Sequence, residues 1–149
     1  MKRLYLISAM SLLFFASIAQ NSDVEKEAIK KVIQTAYVDG LQNEGDIDKI
    51  DSGIHPGFNL LGIDKGDEMW SLSIADWKTK TEEKKKRGDL PRKKDNQITI
   101  KFLSIDVTGT AAVAKIEFYV AEKLMYVDYI SLYKFETGWK MVNKIYYKF

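Results

Sequence analysis

The chain has 149 residues, 46% of them hydrophobic and 30% charged, with no cysteine and a single histidine. The missing cysteines exclude a disulfide framework, a thiol nucleophile and Cys-ligated zinc, and one histidine excludes a multi-histidine metal centre. The formal charge of +2 disappears if Lys2 and Arg3 leave with an N-terminal segment, which weakens any nucleic-acid or membrane-surface reading based on total charge.

Lys2 and Arg3, the apolar run Leu4 to Ala16 and then Ser17-Ile18-Ala19 follow the order of a secretory signal, with small residues where a signal peptidase inspects them. Cleavage is expected after Ala19, leaving residues 20–149 as one domain large enough to bury a core without covalent staples. The apolar run is shorter than the ~20 residues of a bilayer span and nothing later approaches it, so no stable membrane insertion is expected after cleavage. A lipoprotein signal needs a cysteine, so the expected location is the periplasm or the cell exterior, without a lipid anchor.

Asn21-Ser22-Asp23 offers helix caps, and Ala28, Ile29, Val32, Ile33, Ala36, Tyr37, Gly40 and Leu41 recur on one stripe of a long amphipathic helix. Gly45 stops it, a short helix through Ile47 and Ile50 follows, and Gly53 ends that. His55-Pro56 opens an extended stretch, Phe58 to Ile63, and Asp67 to Leu72 reads as a second short strand. Ser73-Ile74-Ala75-Asp76 resembles a capping box, predicting a helix from about Ile74 to Arg87. The segment Lys78 to Lys94 carries nine basic residues against Glu82, Glu83 and Asp89. It reads either as a solvated helix end and loop or as a patch for an anionic lipid, polysaccharide or acidic partner. Gly88 to Asn96, containing Pro91, reads as a mobile loop.

From Gln97 the period becomes two. Ile98, Ile100 and Phe102 alternate with polar residues, Ile105 and Val107 continue after a bulge, and three further strands, Thr110–Tyr119, Lys123–Phe135 and Trp139–Tyr147, complete an antiparallel meander. A two-residue loop at Thr137-Gly138 would place Leu132 opposite Asn143 and Ile130 opposite Ile145. Ala112, Ala114, Ile116 and Phe118 then share the inner face with Tyr126, Asp128, Ile130, Leu132, Met141, Asn143 and Ile145. In that register Lys144 and Tyr146 are outer-face residues, and Trp139, Tyr146 and Tyr147 serve packing or a dimer face.

One carboxylate, Asp128, thus falls on an apolar face where Ala112 and Ala114 leave space. Burying it unpaired is costly, so it must be hydrogen-bonded, solvated in a cavity, or raised in pKa. In the other register Lys115 would pair with Asp128 on a solvated face. His55 either caps the strand entry or joins Asp128 as an acid/base dyad. Tyr37, Phe58, Trp70, Trp77 and Tyr126 form a candidate aromatic wall for a planar ligand, or simply core.

The element order, together with His55-Pro56-Gly57-Phe58, Leu60-Leu61-Gly62, Asp128-Tyr129 and the run Gly138-Trp139-Lys140-Met141-Val142-Asn143-Lys144, resembles the nuclear transport factor 2-like superfamily. Within that superfamily the chain is similar to the Putative lumazine-binding family of bacterial proteins. The resemblance implies an α+β fold in which a cone-shaped, curved antiparallel sheet wraps a long N-terminal helix around a pocket, often as a homodimer through the outer sheet face. Ketosteroid isomerase and SnoaL-like cyclases, of similar fold, use an acid in an apolar pocket, but their catalytic motifs have no match here.

Three readings follow. The first is an exported, non-enzymatic protein that binds a small organic ligand, oriented by Asp128, Asn143 and Tyr126 and contacted by Trp70, Trp77, Tyr37 and Phe58. The second is a cofactor-independent isomerase, dehydratase or cyclase with Asp128 as base and His55 or Tyr126 as acid. The third is a dimeric interaction module with a vestigial hollow. No metal or redox cofactor is implied.

Overall fold

In the computed structural model, which describes residues 22–149, the apolar stripe of the first segment becomes the buried face of a long helix, α1. The expected signal segment, 1–19, lies outside the described residues. Helix α1 is α-helical over 22–32 and π-helical over Ile33–Glu44, where an ordinary α-helix was expected. The wider winding places Val38 among the buried residues beside Ala36 and Tyr37, whereas Ala28, read as part of the stripe, is exposed. Gly45 ends the helix at φ 67°, in the left-handed region, and donates its N–H to the Gly40 carbonyl.

Asp46 caps the short helix α2, Ile47–Gly53, by accepting the Lys49 N–H. A Cβ on Gly53 would lie 2.6 Å from the Ala36 Cβ, so glycine permits the close approach of α2 to α1. Strand β1, Ile54–Ile63, pairs antiparallel with β2, Met69–Ser73, and Ser73 then caps α3, Ile74–Lys86, by accepting the Asp76 N–H.

The meander is β3, Ile98–Thr108, β4, Ala111–Val120, β5, Lys123–Phe135, and β6, Gly138–Lys148. The six strands form one curved, unclosed sheet in the order β2-β1-β6-β5-β4-β3. One pairing departs from the expected antiparallel sheet: β1 runs parallel to β6, with Ile54 opposite Met141 and Leu60 opposite Lys144. The crossover through β2, α3 and the meander permits that direction.

The register expected between β4 and β5 is present, with Ala112 opposite Leu132, Ala114 opposite Ile130 and Ile116 opposite Asp128. Lys115 therefore faces outward, over the ring of Tyr129 rather than against Asp128. The β3 bulge falls between Phe102 and Ser104.

The β5–β6 hairpin differs from expectation. Its turn is Glu136-Thr137, since Phe135 pairs with Gly138, and Leu132 faces Met141. A bulge at Val142 follows, after which Ser131 faces Asn143 and Ile130 faces Lys144. One extra residue reverses the facing of everything beyond it. Lys144 and Tyr146 turn inward, while Asn143 and Ile145, both expected inside, turn outward.

The first helix is tied to this sheet, and the loop after α3 is tied to that helix. Glu25 accepts from Trp139 Nε1 and Lys134 Nζ, each at 2.6 Å, and fixes the start of α1 to the β5–β6 hairpin. The loop Gly88 to Asn96, expected to be mobile, is anchored by the buried Leu90 and by Arg92, whose backbone N–H donates to Asn43 O at 2.7 Å and whose Nε donates to Gln42 O at 2.9 Å. Asn43 also bonds both backbone polar groups of Ile98.

Candidate functional site

The inward turn of β6 assembles a buried triangle. Tyr37 on α1 donates its hydroxyl to Asp128 Oδ2 at 2.9 Å, Lys144 Nζ donates to the Tyr37 oxygen at 2.9 Å, and the same ammonium stands 2.8 Å from Asp128 Oδ1. Asp128 is 0% exposed and Lys144 4%. The Lys144–Oδ1 approach lies off hydrogen-bond geometry, so Oδ1 has a charge partner but no directed donor. Lys144 also lies 5.1 Å from the centre of the Tyr37 ring and 5.3 Å from that of Tyr146, which soften its desolvation. An ion pair buried this deeply contributes little net stability as a pair, but either member is costly without the other.

Burial shifts these groups in defined directions. Desolvation lowers the Lys144 pKa from its ordinary value, and the neighbouring Asp128 charge opposes that shift. Desolvation and then the Asp128 charge push the Tyr37 hydroxyl well above 10.0. A phenol whose folded pKa exceeds its unfolded one adds stability that is complete below the unfolded pKa and lost as pH rises toward the folded value. In an alkaline absorbance titration, Tyr37 is therefore expected to ionise only as the protein unfolds. Tyr37→Phe should leave the early-titrating tyrosines unchanged, and loss of an early step in that variant would contradict the assignment.

Beside the triangle opens a cavity of about 370 Å³, toward the low end for small-molecule sites. Tyr37, Trp77, Phe118, Tyr126 and Tyr146 give it aromatic walls, and Gln42, Lys84, Arg92, Lys144 and Lys148 give it polar ones. The aromatic rings form a continuous series of tilted and edge contacts: Phe58 to Trp77 at 6.3 Å, Trp77 to Tyr37 at 6.2 Å, Tyr37 to Phe118 at 5.9 Å, Phe118 to Tyr126 at 5.6 Å, Tyr126 to Tyr146 at 5.5 Å and Tyr146 to Trp70 at 6.3 Å.

Over residues 24–147 the sequence matches the family described as Putative lumazine-binding. The chain belongs to that family. No curated protein matches the Putative lumazine-binding chain described here. Among solved structures, an NTF2-like protein of unknown function from Shewanella baltica OS155 is 22% identical, with a TM-score of 0.64 over 84% of this chain and 94% of that one. An NTF-2 like protein of unknown function from Silicibacter pomeroyi DSS-3 is 19% identical, with a TM-score of 0.68 over 86% of this chain and 98% of that one. The CaMKII hub of S. rosetta is 16% identical at a TM-score of 0.54, over 83% and 95% of the two chains. These likenesses establish the nuclear transport factor 2-like fold.

In this Putative lumazine-binding domain the residues singled out from sequence separate into groups. Tyr37, Trp77 and Tyr126 line the cavity, while Asp128 sits behind it, covered by Tyr37 and Lys144. Trp70 packs against Tyr146 and over Gly62, and Phe58 is buried core. Asn143 leaves the site and donates its side-chain amide to Asn59 O on β1. His55 stacks on Phe135 with ring centres 4.8 Å apart, and its Nδ1 accepts the Gly57 N–H. Phe135 lies seven residues along β5 from Asp128, up to ~23 Å at the rise of a strand. The structure therefore holds the proposed His55–Asp128 dyad apart.

Sequence reasoning missed Lys144, Tyr146 and Phe118 as site residues, and two cavity cations, Lys84 and Arg92, that belong to the basic segment. A signal for Lys144 was present: a lone carboxylate on an apolar face requires a cation, and the neighbouring strand offers one.

Proposed function

We propose that this protein is an exported, non-enzymatic binding protein that holds a small organic ligand in the aromatic cavity beside the Tyr37–Asp128–Lys144 triangle. The observation that carries the reading is that Asp128 is buried and already engaged within the protein. Asp128 already engages Tyr37 and Lys144, and no lining residue of the cavity is acidic or a histidine, so the wall presents contact area and donors without a carboxylate or imidazole base. Family membership supports a ligand-binding fold. The N-terminal pattern Lys2 to Ala19 supports export.

A homodimer through the outer sheet face accompanies this reading. Val113, Tyr129, Tyr133, Ile145 and Tyr147 are exposed on β4, β5 and β6, an apolar surface larger than scattered single residues.

Native mass spectrometry of the protein purified gently from its host tests both parts. A co-purifying small molecule is expected in the wild type and is expected to be lost from Trp77→Ala, which removes a cavity wall. Wild-type protein that is empty, and whose melting temperature is unmoved by extracts of its host, would refute the binding reading, because a ligand at ~100 times its dissociation constant adds ~2.7 kcal/mol. A monomer mass at micromolar concentration would refute the dimer.

A further inference from the structure

The cavity is cationic out of proportion to the chain that builds it. Lys84, Arg92, Lys144 and Lys148 line it, and no acidic residue does. Asp128 neutralises Lys144 from behind. The side chains of Lys84 and Lys148 make no hydrogen bond or ion pair among the described residues, and the Arg92 guanidinium donates only to the backbone carbonyls of Gln42 and Asn96. Three positive charges thus line one hollow that no carboxylate lines, although acids and bases in the chain number 21 and 23; Asp89 and Asp95 share with Lys84 and Arg92 the lining of an adjoining hollow instead. They come from three separate elements: the end of α3, the loop anchored onto α1, and the end of β6. A run of lysines along one exposed helix does not produce that convergence.

Resting on the reading of this cavity as a ligand site, we propose that its ligand is a flat aromatic molecule bearing an anionic group, a carboxylate or a phosphate. The ring lies against Trp77 and Tyr126, and the anion faces Lys84, Arg92 and Lys148. An anion there meets cationic donors, and charge-assisted bonds are stronger than neutral ones. A neutral ligand of the same shape leaves those cations mutually repelling. The buried triangle contributes by cancelling the Lys144 charge, so the anion is drawn to the mouth rather than to the back of the cavity.

The test uses three probes of one shape, 2-naphthoate, 2-naphthyl phosphate and neutral 2-naphthamide, titrated calorimetrically into the full chain as purified. At least one anion is expected to bind 10-fold or more tightly than the amide, and to weaken as salt is raised while the amide does not. Whichever anion binds more tightly identifies the anionic group. The Lys84→Gln and Lys148→Gln variants, which remove no bond within the protein, are each expected to weaken the anion several-fold and leave the amide unchanged. Amide binding equal to both anions, or anion binding unaltered in both variants, overturns the inference and leaves the ligand-site reading standing. No binding by any of the three at millimolar concentration overturns the two together.

Discussion

Asp128→Ala is expected to lower the stability of the folded protein by about 3–5 kcal/mol, read as a fall in the urea midpoint at unchanged slope. The carboxylate itself is not worth that much. Its removal strands the Lys144 ammonium, 4% exposed, with only the Tyr37 oxygen and two ring faces for company. The variant can relieve this by releasing the Lys144 proton, at an energy that depends on pH. With the folded pKa depressed and the unfolded one near ~10.4, the unfolded chain binds more protons in between, so the stability of Asp128→Ala should rise with pH across that window. Pairing the substitutions as Asp128→Leu with Lys144→Met removes both charges and should recover most of the loss. A single variant within about 1 kcal/mol of wild type, or a double variant worse than the single, would show that the triangle is not the closed unit described here.

Phe58→Ala should cost a comparable ~3–5 kcal/mol, by cavity creation rather than by charge. Phe58 was a candidate for the ligand wall, but it is 1% exposed, packs on Trp77 and does not line the cavity. Its loss therefore acts on folding first. Trp77→Ala, at the partly buried wall, should show the opposite balance: a smaller change in the urea midpoint and a large loss of ligand affinity. Comparing the two variants by denaturation and by calorimetry separates core from site. A Phe58→Ala protein with wild-type stability and lost binding would return Phe58 to the wall.

Much of the architecture was legible because it rests on local rules. The caps at Ser73 and Asp46, the stop at Gly45 and the alternation through Ala112, Ala114, Ile116 and Phe118 all rest on residue chemistry within a few positions. Asp128 was legible for the same reason, as the polar exception on an apolar strand face. What the sequence concealed is non-local. The parallel pairing of β1 with β6 leaves no mark on either strand, since both are partly buried runs with a central position in the sheet. The bulge at Val142 was hidden because Met141, Asn143 and Ile145 form an acceptable alternation by themselves. Only the mate of Asp128 shows that Lys144 belongs inside. The π-helical winding of Ile33–Glu44 likewise has no mark in residue propensity.

Strand β6 is the sixth in chain order yet sits in the middle of the sheet, between β1 and β5. Before it is in place the remainder divides into two pieces that share no backbone ladder, a β1–β2 hairpin with its helices and a β3–β5 meander. Neither piece alone can set Lys144 against Asp128, so both the aromatic cavity and its charge partner are late products. The path to the native state should therefore be slow for its size, as expected where pairings such as Ile54 with Met141 span most of the domain. A chain interrupted before Gly138 would hold a buried-type carboxylate with no cation to meet it, and would be a substrate for quality-control proteases rather than a smaller version of the same protein.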